Sequence, residues 1–261
     1  MTNSFYIAAT GMHAEQAQID TVANNLVNIN TMGFKKSRVA FSSLMPEPIA
    51  TSTQSGLPGN PAAMAQRGMG VSGDNALLDF ASGGMKQTQG EFDFAIQGRG
   101  LFEVQLPDGS FAYTRNGALH VDNNGYLVNS DGYPLSAMVQ IPSDMEKMTI
   151  SPDGRVQIKN PDSDELQEVG NLQLSHFANE AGLKAIGNNL YIAGETSGDV
   201  LYSRPGENGA GQLSQGYLEA SNVQMIEELT NMITAQRAYE ANAKILQASD
   251  EIQSIINNLR K

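Results

Sequence analysis

The sequence predicts an α+β chain. Terminal helices form one split, coiled-coil-like domain, a central antiparallel β domain lies between them, and an extended connecting segment joins the two. Three observations carry this. Apolar residues recur at alternating spacings of three and four at both ends. From residue 91 onward, period-two runs are separated by Asn-Gly and Asp-Gly turns. Residues 42–90 hold no sustained period. The expected divisions are 1–36 for the first helix, 37–90 for the connecting segment or hairpin, 91–205 for the β domain, and 206–261 for a return segment and the last helix.

The last forty residues, Asn222 to Lys261, contain neither Gly nor Pro and many good helix formers. Ala238, Ala241, Ile245, Ala248, Ile252, Ile255 and Leu259 follow a 3.5-residue period, the stripe of a coiled coil. Met225, Leu229, Met232 and Tyr239 follow a shifted register, so the stripe moves around the helix near Arg237. At about 1.5 Å per residue the helix would be roughly 60 Å long, and a stripe so long and narrow requires a partner. The same spacing returns at the other end of the chain in Phe5, Ala8, Met12, Ile19, Val22 and Leu26, with Glu15 out of character. That segment ends at Asn30-Thr31-Met32-Gly33, where Gly33 can adopt the left-handed conformation that stops a helix. Two readings stand: an ordinary packed helix pair, or helices that order fully only against the same helices of neighbouring subunits. Full helicity of both termini in the dilute monomer, measured by circular dichroism, would contradict the second.

Polar residues inside these helices are informative. Asn24, Asn25 and Asn28 in the first, and Asn231, Gln236, Arg237 and Asn242 in the second, either form an exposed polar face or fix register, because wrong alignments leave them unsatisfied.

The net charge of −12 is unevenly placed. Residues 1–40 carry three bases and two acids, residues 216–261 four and six, and the middle nine and twenty, so the acidity belongs to the central body. No basic stripe exists, which argues against a nucleic-acid partner. The chain has no cysteine, which excludes disulfides, thiolate metal sites and a cysteine nucleophile. It has no transmembrane run, and Met1-Thr-Asn-Ser lacks the basic start and apolar core of a secretory signal, so no direct membrane insertion is expected.

After Gly33, Phe34 with Lys35, Lys36 and Arg38 reads as a small basic patch beside an aromatic anchor. Residues 42–90, rich in Gly, Pro, Ser, Met and Gln, suit either an extended hairpin along a neighbour or a segment ordered only by a partner. From Glu91, Phe92 and Phe94 alternate with Glu91 and Asp93, and Phe102, Val104 and Leu106 with Glu103 and Gln105. Turn signals follow at Asp108-Gly109, Asn116-Gly117, Asn124-Gly125, Asp131-Gly132 and Asp153-Gly154. Further strands are expected at 111–115, 126–128, 135–141, 148–150, 156–158 and 172–176, before a Gly-rich return from Pro205 to Gly216.

Candidate chemistry is sparse. Gly68, Gly70 and Gly73 satisfy G-x-G-x-x-G, but a dinucleotide site needs a buried strand before it and a helix after it, and this one sits in low-complexity sequence. Asp122-Asn-Asn-Gly125 resembles a calcium loop only faintly, with Gly too early and no bidentate Glu, and reads as a hairpin turn. His13, His120 and His176 lack metal-ligand spacing, and Asp162, Asp164 and Glu165 read as a solvated acidic loop. No nucleophile elbow or H-E-x-x-H motif occurs, so an enzyme is not supported and no cofactor or metal is expected.

Ala23-Asn-Asn-Leu-Val-Asn-Ile-Asn-Thr-Met-Gly-Phe-Lys35 resembles the N-terminal signature of bacterial flagellar axial proteins, the rod and hook family. Gln236-Arg-Ala-Tyr-Glu-Ala-Asn242, preceded by Ser221-Asn-Val223 and Glu227-Glu228, resembles the C-terminal one, and Gly98-Arg-Gly-Leu-Phe-Glu-Val104 with Tyr113-Thr-Arg-Asn-Gly117 resembles a motif shared by rod and hook proteins. The stretch from Gly187-Asn-Asn-Leu-Tyr191 to Tyr217, with the length, is most similar to the distal part of the rod; Val27 departs from the usual Ala. The resemblance implies a self-polymerising subunit whose terminal helices form an inner tube around an export channel and whose β domain forms an outer shell. It implies proximal rod and hook subunits as neighbours, surrounding outer-membrane and peptidoglycan rings, and export through the flagellar type III apparatus without a cleaved peptide. The place implied is the basal body, across the periplasm. The assembly interface expected on this basis comprises Phe5, Met12, Ile19, Val22, Asn24, Asn25, Leu26, Asn28, Gly33 and Phe34 at one end. At the other it comprises Met225, Leu229, Met232, Gln236, Arg237, Tyr239, Asn242, Ile245, Ile252, Ile255 and Leu259.

Overall fold

The computed structural model describes residues 2–45, 47–49, 65–142, 145–160 and 166–259. The chain divides into two compact units, one of residues 1–24, 37–77 and 225–261, the other of residues 25–36 and 78–224.

The first unit gathers both ends of the chain. Helix α1 runs Thr2–Val27 and helix α2 runs Met225–Leu259. The second helix therefore starts three residues later than its composition suggests, because Asn222 is engaged elsewhere (below). Between the helices in sequence, the strand Ser37–Ser43 pairs with Val71–Leu78, and Glu47–Ile49 pairs antiparallel with Ala65–Arg67. The segment thus runs out and returns; the reading of residues 46 and 50–64 falls outside the described residues.

The returning strand explains the glycine motif. A strand, not a helix, follows it, so the helix N-terminus that a pyrophosphate needs is missing. Gly73 instead lies against α1, where an added Cβ would stand 2.9 Å from the Cβ of Ala14, and a Cβ on Gly70 would strike the Thr10 hydroxyl. The Val71 N–H donates to Thr10 Oγ1 at 3.4 Å. These glycines serve a close approach of strand to helix.

The second unit is the β body. A four-stranded sheet runs in the order Lys184–Gly187, Leu190–Ile192, Phe111–Thr114, Phe102–Gln105, and a three-stranded sheet joins Lys147–Ile150, Arg155–Lys159 and Leu166–Asn171. Two-stranded ladders include Leu174–Phe177 with Val200–Ser203 and Gln212–Gln215 with Phe94–Gln97. The described pairings within named strands of this unit are antiparallel, as the turn residues predict. The core is Phe94, Ile96, Phe102, Val104, Met148, Val156, Ile158, Leu172 and Leu174 with their neighbours. A smaller cluster packs Tyr113 edge-on to Phe177, ring centres 4.8 Å apart.

The Asp122 turn is a hairpin, with Asp122 Oδ1 accepting from the N–H groups of Asn124 (2.9 Å) and Tyr126 (2.7 Å). Asn129 repeats the arrangement toward Asp131 and Tyr133. Three expectations fail. Residues 135–141 form no strand, only single bridges at Leu135 and Gln140, and Met138 takes a φ of 43°, which extended pairing does not allow. The alternation of Phe92 and Phe94 with Glu91 and Asp93 is not seen: residues 91–93 are all half-buried, and the strand begins only at Phe94, where Phe94, Ala95 and Ile96 are buried together because it is covered on both faces. Asn116-Gly117 closes no hairpin; Gly117 is pressed against the Phe94 carbonyl. The acidic loop at Asp162, Asp164 and Glu165 lies outside the described residues.

Candidate functional site

Within the first unit, burial sorts the predicted helix residues. On α1, Val22 is buried and Phe5, Met12 and Ile19 are half-buried, while Asn24 is exposed. On α2 the inward face is Glu228, Asn231, Met232, Ala235, Ala238, Tyr239, Asn242, Leu246 and Ser249, all buried or half-buried. The helices meet where Gly11 of α1 faces Asn242 of α2; a Cβ on Gly11 would lie 2.9 Å from Asn242 Nδ2.

The isoleucine stripe is elsewhere. Ile245, Ile252, Ile255 and Leu259 sit roughly a quarter to nearly half of a turn around the helix from that face at 100° per residue. Ile252 is 51% and Leu259 82% exposed. At the start of α2, Met225 and Leu229 are exposed with Ile226 and Ile233, as are Gln236 and Arg237. Within its own chain α2 thus half-covers Met232, Ala238 and Tyr239 of the predicted stripe and leaves its isoleucines exposed. Among the described residues the isoleucine stripe is not seen paired with α1; where the two helices meet, Gly11 makes room for Asn242.

In the second unit, the segment after α1 is fastened by polar groups. Gly33 takes φ 70°, and its N–H donates to the Glu219 carbonyl at 2.7 Å. A Cβ there would meet the Asn116 nitrogen at 2.6 Å, so conformation and space both demand glycine. Asn25 is buried, Leu26 and Phe34 are half-buried, and Asn28 Oδ1 accepts from the Thr31 hydroxyl. Asn189 Nδ2 donates to the Met32 carbonyl at 3.0 Å. Asn222 accepts from the Lys36 N–H at 2.8 Å while donating to the carbonyls of Asp79 and Ala81.

Lys35 overturns the basic-patch reading. Its side chain is 1% exposed, and its Nζ donates to Glu219 Oε1 and to the Ala81 carbonyl, both at 2.8 Å. Arg115 Nε reaches Glu219 Oε2 at 2.5 Å, and the rest of its guanidinium donates to the carbonyls of Gly100, Ile96 and Gly98. The Gly83 N–H completes the Glu219 carboxylate at 2.7 Å. Two cations share one anion. Burial pushes the Glu219 carboxyl up, but Arg115 and then Lys35 more than reverse this and hold it below the usual range. Burial lowers the Lys35 ammonium; Glu219 opposes that and the neighbouring Arg115 charge adds to it. The surplus positive charge is met by backbone carbonyls, a fully engaged network that fixes where the chain leaves α1 and where it approaches α2.

A second buried carboxyl was also missed. Glu103 lies beside a cavity of about 200 Å³, accepting from Tyr202 Oη (3.2 Å) and Ser175 Oγ (3.4 Å). Burial raises its pKa, only partly offset by those hydroxyls. A raised carboxyl in a cavity is the profile of an acid catalyst. Here the described lining offers no second carboxylate, His or Lys. Among the described residues no His, Asp and Glu cluster could hold a metal ion, and no helix is long and apolar enough to cross a membrane.

Comparison with known proteins bears on these same segments. Residues 5–35 match the family model described as flagella basal body rod protein, residues 95–158 the flagellar hook protein FlgE/F/G D1 domain, and residues 214–259 the flagellar basal body rod FlgEFG protein C-terminal. The three charged residues of the buried network fall one in each: Lys35, Arg115 and Glu219. The flagellar basal-body rod protein FlgG of Borreliella burgdorferi is 40% identical over 267 residues, spanning all of both chains. That of Buchnera aphidicola subsp. Schizaphis graminum is 39% identical over 99% of this chain and all of its own. That of Caulobacter vibrioides is 40% identical over 97% of each. With relatives this similar along the whole length, the chain belongs to the flagellar basal-body rod protein family.

Proposed function

We propose that this chain is a structural subunit that polymerises into the distal rod of the flagellar basal body, transmitting torque to the hook and enclosing the export channel. The observation that carries this is the open apolar surface of α2. Met225, Ile226, Leu229, Ile233, Ile245, Ile252, Ile255, Ile256 and Leu259 are all exposed in the single chain. Each large apolar side chain contributes roughly 1.5–3 kcal/mol when fully covered, so covering the exposed portions is worth on the order of 10 kcal/mol gross. Apolar surface of that extent marks an interaction face. In this reading the helices of neighbouring copies cover each other's stripes, coiled-coil fashion, and form the inner tube. The β body, acidic in sequence, faces outward toward the surrounding rings. Proximal rod and hook subunits take the two ends, and the chain reaches its place across the periplasm through the type III apparatus.

Ile252→Asp tests it. The side chain is half exposed, so the folded monomer is expected to change by less than about 0.5 kcal/mol. Polymerisation of the concentrated protein, followed by electron microscopy and sedimentation, is expected to disappear. A deletion strain complemented with this variant is expected to show basal bodies whose rod stops short. Normal rods in that strain would refute the assignment of the stripe, and curved instead of straight tubes from the parent protein would favour a hook-type subunit.

A further inference from the structure

The chain holds three Asn-Gly pairs, at 116–117, 124–125 and 208–209. In an unfolded peptide all three are equivalent substrates for the same spontaneous reaction. Fully balanced, the backbone nitrogen of the glycine loses its proton to hydroxide and bonds to Cγ of the asparagine. The Cγ–Nδ2 bond breaks, and ammonia leaves with a proton taken from water. One water then opens the resulting succinimide at either carbonyl, giving aspartate or isoaspartate. The fold treats the three pairs very differently.

Asn116 Oδ1 accepts from the Ala118 N–H at 3.1 Å, and Gly117 is buried against the Phe94 carbonyl with no room for a ring. Asn124 is exposed, but its Nδ2 donates to Asp122 Oδ2 at 3.1 Å and the Gly125 N–H donates to the Asp122 carbonyl at 3.1 Å. The Ile141 carbonyl also crowds Gly125, 2.5 Å from where a Cβ would stand. Both the leaving amide and the attacking nitrogen are tied down at that site.

At 208–209 neither is. Asn208 and Gly209 are exposed, with φ of 50° and 81°, the two central positions of a type I′ turn closed by the Ala210 N–H on the Glu207 carbonyl at 2.8 Å. That turn leaves the Gly209 N–H unused, and among the described residues nothing hydrogen-bonds the Asn208 side chain. Among the described residues nothing lies within 4 Å of the Gly209 Cβ position. We propose that Asn208 is the native-state modification site of this protein, converting to aspartate and isoaspartate ahead of the other two Asn-Gly pairs. The product places a new carboxylate next to Glu207. Through isoaspartate it also lengthens the backbone inside the turn that leads to Gly211, whose N–H donates to the Arg99 carbonyl at 2.7 Å. The inference does not rest on the assembly reading, since it concerns a turn of the β body alone.

The test is ageing of the full-length folded protein in warm, mildly alkaline buffer, with peptide mapping by mass spectrometry and isoaspartyl methyltransferase labelling. A parallel sample is kept in concentrated urea. Each hydrogen bond that must be released slows the reaction by about fivefold, so Asn208 is expected to react at least roughly fivefold faster than Asn124 in the folded protein, and faster still than Asn116. In urea the three rates are expected to converge. Comparable rates in the folded protein, or Asn124 or Asn116 reacting first, would overturn the proposal. A preference for Asn208 that persists undiminished in urea would overturn it equally, by showing that local sequence and not the turn is responsible.

Discussion

Replacing Glu219 by Gln removes one charge and almost no volume. Lys35 and Arg115, 1% and 3% exposed, are left facing each other without the carboxylate they share, Asp79 being the anion that still acts on Lys35. Breaking a buried ion pair by removing one partner typically costs 3–5 kcal/mol. An independent route gives the same scale. Lys35 can escape by giving up its proton, and from an ordinary pKa of about 10.4 that costs roughly 4–5 kcal/mol at pH 7, less whatever burial has already lowered it. At about 2–4 °C per kcal/mol for a body of this size, the melting temperature is expected to fall by roughly 6–20 °C. Urea unfolding followed by tyrosine fluorescence gives the free energy directly, since the chain has 8 Tyr and no Trp. The pH dependence is the sharper readout. In the parent, a carboxyl held below its ordinary value stabilises the fold above about pH 4–5, and this is lost as pH falls through the lowered pKa. The variant should lack that acid-limb loss. It should instead gain stability on the alkaline side, by up to about 1.4 kcal/mol per pH unit, as Lys35 sheds its proton more cheaply. Adding Lys35→Met should recover part of the loss. A single variant within about 0.5 kcal/mol of the parent, with unchanged pH behaviour, would refute the account of the cluster.

Gly11→Val places a branched side chain where even a Cβ lies 2.9 Å from Asn242 Nδ2; overpacking of about 1–3 kcal/mol should appear as lost helicity by circular dichroism, restored by Asn242→Ala in the double variant. Glu103→Gln should be at least as stable as the parent at neutral pH, to within about 1 kcal/mol, because burial penalises a charge that Gln does not carry and Gln keeps an acceptor for Tyr202. The parent's stability contribution from Glu103 should grow as pH falls from the raised value toward the ordinary one, and chemical denaturation across that window should show the variant without it. Asn129→Ala strips the acceptor from the N–H groups of Asp131 and Tyr133 and should cost roughly 1–3 kcal/mol in urea unfolding, with amide exchange accelerated at that turn first.

What the sequence made legible was local. The 3.5-residue recurrence at both ends needs no knowledge of partners to imply helices, and Asp122 and the Asp108, Asp131 and Asp153 turn signals are local devices that mark turns wherever they fall. What stayed hidden depends on distance along the chain. Lys35 and Glu219 stand 184 positions apart, and nothing in Phe34-Lys35-Lys36 separates a buried lysine from a solvated one. Glu103 sat at a polar position of an alternating strand, yet Ser175 and Tyr202 of another ladder enclose it. The pairing of Phe94–Gln97 with Gln212–Gln215 was equally invisible, because a Gly-rich stretch carries little strand signal of its own. The task of Gly70 and Gly73, admitting α1, cannot be read without knowing that the strand returns to it.

The division of labour on α2 follows from this. A helix meant to be complete within one chain turns its largest apolar residues inward and its small and polar ones out. Here the two kinds are mixed: Asn231, Ala235, Asn242 and Ser249 face in beside Met232, Tyr239 and Leu246, while Ile245, Ile252 and Ile255 face out. Packing through Ala, Asn and a facing Gly gains little apolar burial, but it is demanding in register, since Asn242 fits only where Gly11 leaves space. The apolar stripe has the opposite character, strong and tolerant of where along it another surface lands. In the assembly proposed above, a chain built this way sets its own geometry with weak, specific contacts and reserves its strongest driving force for association. The buried Lys35–Glu219–Arg115 network, on segments adjoining both helices in sequence, holds the chain's path there fixed without drawing on that reserve.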